Sequence, residues 1–99
     1  MVKVEITKSN RNDKRFQAVF TDDDGKKIKT TQFGLKNPKI GTYIDHKNEK
    51  LKENYLKRHK KNENWNNFMS AGSLSRYILW NKKTYQQSLD NYKKIFKLK

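Results

Sequence analysis

The spacing of apolar residues changes once along this 99-residue chain, from every second residue to every third or fourth. Alternation over residues 2–7 and 15–21 predicts two strands that each bury one face. The Asp24-Gly25 step after the second strand is typical of a tight hairpin, because glycine accepts a positive φ. A third strand over residues 27–33 has weaker phasing, since Ile28 and Phe33 fall on opposite faces, and a β-bulge or an early end of the strand would explain that.

From Asp45 onward the spacing is helical. Asp45 is expected to cap a first helix, with Leu51 and Tyr55 on one side of it. Four lysines separated by 3, 7 and 4 residues form a stripe on roughly the opposite side. These four are Lys47, Lys50, Lys57 and Lys61. A helix of this kind docks on one side and presents positive charge on the other.

The last third of the chain predicts two shorter helical segments. Ser70 or Ser73 is expected to cap the first, and Thr84 with Gln87 has the spacing of a capping box for the second. Between the two halves, residues 34–44 are expected to form a connector, because the Asn37-Pro38 step resists helix. Ile40, Tyr43 and Ile44 are its expected apolar anchors.

Together these patterns predict an α+β fold. An N-terminal three-stranded antiparallel β-meander, residues 1–34, is expected to pack against two or three C-terminal helices within residues 45–99. We expect one domain, 1–99, because hydrophobic residues are only 32% of the chain and a second core would lack apolar side chains.

The charge balance indicates a polyanionic partner. Lys and Arg number 24 against 10 Asp and Glu, so the net charge is +14 and the pI is near 10.0. A pI above about 9 is typical of nucleic-acid-binding domains. The same excess could arise from AT-rich codons, which specify lysine and asparagine, or from a need for solubility. We favour polyanion binding, because the excess is +5, +3 and +6 over residues 1–44, 45–64 and 65–99, so that the folded domain itself is basic.

Motifs for catalysis, metal binding and cofactor binding are absent from the sequence. There is no cysteine, the two histidines His46 and His59 lack a second metal-ligand pattern, and the four glycines form neither a dinucleotide fingerprint nor a P-loop. Asp22, Asp23 and Asp24 fit a hairpin better than a cation site. We therefore expect a protein that is not an enzyme and that has no catalytic residues, metal or cofactor. It is also expected to be neither secreted nor membrane-bound, since the N-terminus lacks a signal-like apolar run.

The helical half carries the main predicted binding residues. The run over residues 57–61 is densely cationic and could neutralise several phosphates of a nucleic-acid backbone, releasing their counterions. The residues expected to contact phosphates there are Lys47, Lys50, Lys57, Arg58, His59, Lys60, Lys61 and Arg76. Trp65 and Trp80 have two interpretations: they stack on unpaired bases beside these cations, or they belong to the core of a chain short of aliphatic residues. We favour the core for both tryptophans.

The sheet offers a second predicted surface. If the apolar residues of the strands face the helices, the intervening cations face outward together. These are Lys3, Arg15, Lys27 and Lys29, with Gln17 among them. An exposed basic sheet backed by helices is one way in which proteins enter a DNA groove.

Several segments of the chain resemble a known family. They are Lys14-Arg15-Phe16, Ala18-Val19-Phe20, Phe33-Gly34, His46-Lys47, residues 55–65 with the run Arg58-His59-Lys60-Lys61-Asn62-Glu63-Asn64-Trp65, and Ala71-Gly72 with residues 74–81. They are similar to small basic proteins of unknown function encoded by giant viruses, the large nucleocytoplasmic DNA viruses. Lys83 and the Asn37-Pro38 step depart from the family pattern, which has proline and glycine there.

The resemblance implies a viral protein and brings no established activity. The leading hypothesis is a sequence-nonspecific nucleic-acid-binding protein, for DNA rather than RNA, acting in genome packaging or replication. The alternative is a virion structural protein, a minor capsid or scaffold component whose partners are acidic viral proteins. Either role implies residence in the virion, in the viral factory of the host cytoplasm or in the nucleus.

Overall fold

The N-terminal third forms an antiparallel sheet. The computed structural model describes residues 1–35, 41–61 and 63–99. Its strands are β1 (Lys3–Lys8), β2 (Lys14–Thr21) and β3 (Lys27–Leu35), in the order β1-β2-β3. Each pairs antiparallel with the next, so the predicted meander is confirmed.

A bulge interrupts the pairing of β2 with β3. Phe20 lies opposite Lys29, but its neighbour Thr21 lies opposite Lys27, which leaves Ile28 as an extra residue. Ile28 is 46% exposed. Of the two predicted causes of the weak phasing, the structure shows the bulge, since β3 continues to Leu35 and Ile28 lies at the bulge, out of the core.

The bulge also separates two lysines that were expected to share the outer face. Residues directly opposite each other on neighbouring strands point to the same side of the sheet. Lys27 is level with Thr21 and Lys3, on the outer face, whereas Lys29 is level with the fully buried Phe20. The prediction that Lys29 faces outward with Lys3 and Lys27 is therefore wrong, because one inserted residue reverses the alternation.

Helices make up the rest of the described structure. They are α1 (Tyr43–His46), α2 (Glu49–Lys60), α3 (Ala71–Leu74) and α4 (Tyr85–Phe96). A π-helical turn, Ser75–Leu79, continues directly from α3 and is called the π-turn below. With the sheet, these helices confirm the predicted α+β fold. Within the described residues, no helix is long and apolar enough to cross a membrane.

The first long helix begins later than predicted. Asp45 is not its cap: it is the third residue of α1, where its Oδ2 accepts hydrogen bonds from the backbone N and the Oγ1 of Thr42, both at 2.8 Å. Lys47 then adopts a left-handed conformation with φ of 56°, which ends α1. Asn48 caps α2, its side chain accepting from the backbone N of Lys50 and of the next residue. Lys47 therefore lies outside the helix and outside the predicted lysine stripe.

Two other predicted caps are confirmed. The Ser70 side chain accepts from the backbone N of Ser73 at 3.1 Å and starts α3. The Thr84 side chain accepts from the backbone N of Gln87 at 3.2 Å and starts α4. The predicted connector step Asn37-Pro38 and the predicted anchor Ile40 lie outside the described residues.

The core lies between the sheet and the C-terminal helical segments. Its buried members are Val4, Ala18, Phe20, Phe33, Leu74, Ile78, Leu79, Tyr92 and Leu98. Tyr92 is fully buried, and its hydroxyl donates to the backbone carbonyl of Phe68 at 2.6 Å, so that the burial of this polar group is compensated. The chain then returns to the sheet, where the backbone N of Val4 in β1 donates to the carbonyl of Lys99, and the backbone N of Lys99 donates to the carbonyl of Val2, just before β1.

Gly34 occupies a position that a side chain would disturb. Its φ is +80°, and an added Cβ would lie 3.0 Å from Cδ1 of Leu79 and 3.2 Å from Cβ of Arg15. We expect Gly34→Ala to lower the free energy of unfolding by about 2–4 kcal/mol, from the combined backbone strain and overpacking. Gly25→Ala is the matched control, since Gly25 has the same φ with nothing within 4 Å. Urea unfolding that shows equal losses for the two variants would refute the contribution of packing.

Candidate functional site

The solvent-facing side of α2 concentrates positive charge. Its exposed cations, including the residue that caps its C-terminus, are Lys50, Lys57, Arg58, Lys60 and Lys61. Within the part of the chain that the structure describes, only Lys57 of these has a carboxylate within 4 Å, Oε1 of Glu53 at 3.1 Å. Five of the predicted phosphate-binding residues are thus brought onto one element, and we call these five residues the α2 cations.

A cleft of about 620 Å³ lies beside the α2 cations. Two of those cations line it, together with other residues of α2, with Gly41 and with Trp80 at the end of the π-turn. The lining residues are Gly41, Leu51, Asn54, Lys57, Arg58 and Trp80. The cleft therefore places an aromatic ring, an amide and two cations around one concave surface.

Trp80 is held by a column of aromatic rings. It stacks on Tyr55 of α2 with ring centroids 4.4 Å apart and planes 4° from parallel, and His46 approaches it at 5.4 Å. His59 stacks on Tyr55 at 4.2 Å. Burial raises the pKa of Tyr55, so its hydroxyl stays neutral in the physiological range. Trp80 thus joins the π-turn to α2, in agreement with the preference for a packing role, while part of it still lines the cleft.

His59 and Trp65 share one carboxylate. Nδ1 of His59 lies 3.2 Å from Oε1 of Glu63, and Nε1 of Trp65 donates to Oε2 of the same residue at 2.8 Å. His59 is therefore engaged by its own neighbours, unlike most of the α2 cations. No role was predicted for Glu63, although its four-residue spacing from His59 is a helical pairing distance.

The π-turn positions Arg76 inward. The backbone N of Trp80 donates to the carbonyl of Ser75 at 3.1 Å, the five-residue step that defines the wider helix. The Arg76 guanidinium lies over the rings of Trp65 and Tyr77, at 5.5 and 5.0 Å, and its Nη1 donates to the Trp80 carbonyl at 3.2 Å. Burial lowers the pKa of Arg76, which nevertheless remains a cation at neutral pH. Arg76 thus stabilises the end of the turn.

Lys52 of α2, like Arg76, donates a hydrogen bond to a backbone carbonyl after the π-turn. Its Nζ donates to the backbone carbonyl of Asn81 at 2.7 Å and lies 4.8 Å from the ring centroid of Tyr43. Burial, followed by the positive charge of Arg76, lowers the pKa of Lys52. Two cations therefore bind consecutive carbonyls after the π-turn and fix the position of Trp80 against α2.

The cations predicted on the sheet do not join this site. Lys3 shares a shallow cleft with Glu5, Asp22 and Asp23, so carboxylates interleave with it. Lys27 is level with Lys3 at the same end of the sheet. Lys29 is exposed but lies on the other side of the sheet, as described above. Predicted residue Lys47 lies in the turn before α2, where its Nζ donates to the carbonyl of Ile44 at 3.1 Å.

The opposite end of the sheet is the end near α2. Lys14, at the start of β2, lines a cleft of about 390 Å³ together with Tyr55 and His59 of α2. Thr21, at the end of β2, lies seven residues further on, about 23 Å away at 3.3 Å per residue. Lys3 and Lys27 are level with Thr21, so they are separated from the cleft beside α2 by roughly the length of a strand.

Arg15 is paired with a carboxylate. Its Nη1 and Nη2 donate to Oδ2 and Oδ1 of Asp45 at 2.8 and 2.9 Å, a bidentate ion pair that ties β2 to α1. This pair lowers the pKa of Asp45 from 3.8 to about 2. Arg15 therefore has a structural partner in place of the open outer face that was predicted for it.

The Arg15–Asp45 pair makes stability depend on pH. Because the pKa of Asp45 is lower in the folded chain, the stabilisation is fully present above pH 4 and is lost as the pH falls towards 2. We expect the difference in unfolding free energy between the wild type and Asp45→Asn to shrink by about 1 kcal/mol over that window, allowing for the partial exposure of the pair. Urea titrations from pH 6 to pH 2 measure it; a constant difference would contradict the assignment.

The polar and apolar lining of the cleft was not predicted from the sequence. Leu51 was assigned to the buried side of its helix and Asn54 had no assignment, yet both line the concave surface with Trp80. The only available signal was their spacing from Arg58, at seven and four residues on one helix face. Among the described residues, no group of three His, Cys, Asp or Glu side chains could hold a metal ion.

Comparison with known proteins gives one match. No curated protein and no solved structure matches the chain. A family model described as a family of unknown function (DUF5754) matches residues 4–59, which run from β1 to the last turn of α2 and include most of the α2 cations. Because the match covers more than half of the sequence, the chain belongs to this family of unknown function, DUF5754.

Proposed function

We propose that the protein binds nucleic acid without sequence preference, DNA rather than RNA, through the phosphate backbone. The observation that carries the proposal is the set of α2 cations, of which only Lys57 has a carboxylate partner in the described residues. Unpaired, exposed lysine and arginine side chains are free to exchange their counterions for phosphates. The net charge of +14 adds long-range attraction for a polyanion.

The chemistry of these residues favours binding without sequence readout. Lysine supplies 20 of the 24 cations, and an ammonium group acts as a point charge that recognises phosphate more readily than a base edge. Phosphate contacts fix position and orientation but carry no sequence information. We propose a binding protein and no enzymatic activity.

The resemblance to proteins of giant viruses supports a viral context for this activity. We propose a role in genome packaging or replication, in the virion, in the viral factory of the host cytoplasm or in the nucleus. The alternative role as a virion structural protein would need a continuous apolar surface. Among the described residues, four large apolar side chains are exposed, Met1, Ile28, Leu35 and Ile95, and none of the four belongs to α2 or lines the cleft beside it.

The dependence of DNA affinity on salt tests the proposal. With about five phosphates of duplex DNA engaged by the α2 cations, log K is expected to fall with log salt at a slope of about −4.5. Fluorescence anisotropy with one labelled duplex oligonucleotide, titrated at several salt concentrations, measures the slope. A slope shallower than about −2 would reject a footprint of this size.

A further inference from the structure

The cleft beside α2 has the size and lining of a ligand site. Its volume of about 620 Å³ falls within the range of roughly 300–1,000 Å³ for pockets that hold small molecules or parts of larger ones. Leu51 and Asn54 line it from α2, and Trp80 lines it from the end of the π-turn. Lys57 and Arg58 line it as well, so the cleft is continuous with the charged face of the helix.

The lining residues match the chemistry of a nucleotide. The indole of Trp80 and the side chain of Leu51 offer apolar contact to a planar base. The amide of Asn54 both donates and accepts hydrogen bonds, as the polar edges of bases do. The positive charges of Lys57 and Arg58 would meet the phosphates on either side of that base.

Trp80 is fixed in place before any ligand arrives. Tyr55 stacks on one face of its ring and His46 approaches the ring at 5.4 Å, while Arg76 and Lys52 bind the backbone carbonyls of residues 80 and 81. The ring is therefore a rigid wall, and a ligand would lose little free energy in ordering it. π-helical turns of this kind occur frequently at functional sites.

We infer that this cleft receives an unpaired base, so that the protein binds single-stranded nucleic acid more tightly than duplex. The inference rests on the proposed function, because the α2 cations supply the phosphate contacts that both forms share. A base within a duplex is stacked and paired, and extracting it costs a few kcal/mol. A duplex would therefore contact the cations and leave the cleft empty.

Filling the cleft without changing its charge tests the inference. Binding of one oligonucleotide sequence, single-stranded and as a duplex, is measured by fluorescence anisotropy. The wild type is expected to bind the single strand at least about fivefold more tightly than the duplex. This factor corresponds to the lower end of the free energies measured for stacking one base on an aromatic side chain. Asn54→Phe is expected to remove this preference and to leave duplex affinity unchanged, which also shows that the variant is folded. The matched control, Asn12→Phe, places the same change in the exposed β1–β2 loop and should retain the preference.

A spectroscopic measurement reports on the cleft directly. Trp65→Phe leaves Trp80 as the only tryptophan. Single-stranded DNA is expected to change the fluorescence of Trp80 strongly and the duplex only weakly. Equal affinity of the wild type for the two forms, or a preference that survives in Asn54→Phe, would overturn the inference while leaving the proposed function standing. Absence of salt-dependent binding to both forms would overturn the proposed function as well.

Discussion

Replacement of Lys50, Arg58, Lys60 and Lys61 by glutamine is expected to weaken binding of duplex DNA on the order of 10³-fold at about 0.15 M salt. Each phosphate contact releases about 0.9 of a counterion, which is worth about fivefold in affinity at that concentration. Four lost contacts also change the expected slope of log K against log salt from about −4.5 to about −1. No carboxylate lies within 4 Å of these four cations among the described residues, whereas Lys57 is paired with Glu53.

A charge-matched variant separates this site from the overall charge. In this variant glutamine replaces Lys3, Lys26, Lys27 and Lys29. It removes an equal number of positive charges, four, from the far end of the sheet, where all four side chains are exposed. That end is about 23 Å from the start of β2, well beyond the screening length of about 8 Å at physiological salt. This control is expected to keep a slope steeper than about −3. Equal losses in the two variants would mean that binding follows net charge alone and that α2 is not the interface.

The sheet could be predicted because its evidence is local. Alternation along β1 and β2 places Val4, Ala18 and Phe20 on one side, and all three are buried. The mismatch between Ile28 and Phe33 is visible in the sequence and indicates a bulge or an early end of the strand. Its consequence for Lys29 was missed, because the position of the extra residue depends on pairing with β2, which the sequence of β3 does not contain.

The start of α2 was misplaced for a related reason. Asp45 has the chemistry of a cap, but Arg15, thirty residues away, forms an ion pair with it, and Thr42 begins a separate short helix. The left-handed conformation of Lys47 then divides what looked like one continuous helix. Lysine has no side-chain preference for that conformation, so spacing alone gave no sign of the break.

The candidate site was predictable in its charges and not in its shape. The run over residues 57–61 identified the basic part of α2 because charge density is visible in one dimension. The cleft requires Trp80 to stack on Tyr55, which is distant in sequence, and it requires Lys52 and Arg76 to bind the carbonyls that follow the π-turn. Lysine and arginine used in this way look the same in a sequence as those that face solvent.

The largest effect on stability is expected from Phe20→Ala. Phe20 is completely buried, with 0% of its surface accessible to solvent, and its ring meets Phe68 edge-on at 5.7 Å. Removal of a buried phenylalanine ring costs about 3–5 kcal/mol. Small domains have only about 5–15 kcal/mol in total, and repulsion within a chain of net charge +14 lowers that further. The variant is therefore expected to lose most of its stability in urea unfolding at low salt.

Addition of salt distinguishes the effect of the lost phenylalanine ring from the effect of repulsion among the cations in this variant. Sulfate screens repulsion among the cations and strengthens apolar burial, so Phe20→Ala should recover stability in sulfate while remaining about 3–5 kcal/mol below the wild type under the same conditions. Ile28→Ala is the comparison on the same hairpin, because Ile28 is 46% exposed at the bulge and its loss should cost less than about 1 kcal/mol. If the two alanine variants were equally stable, the core could not lie on the Phe20 side of the sheet, and the outward position of Ile28 would have to be abandoned with it.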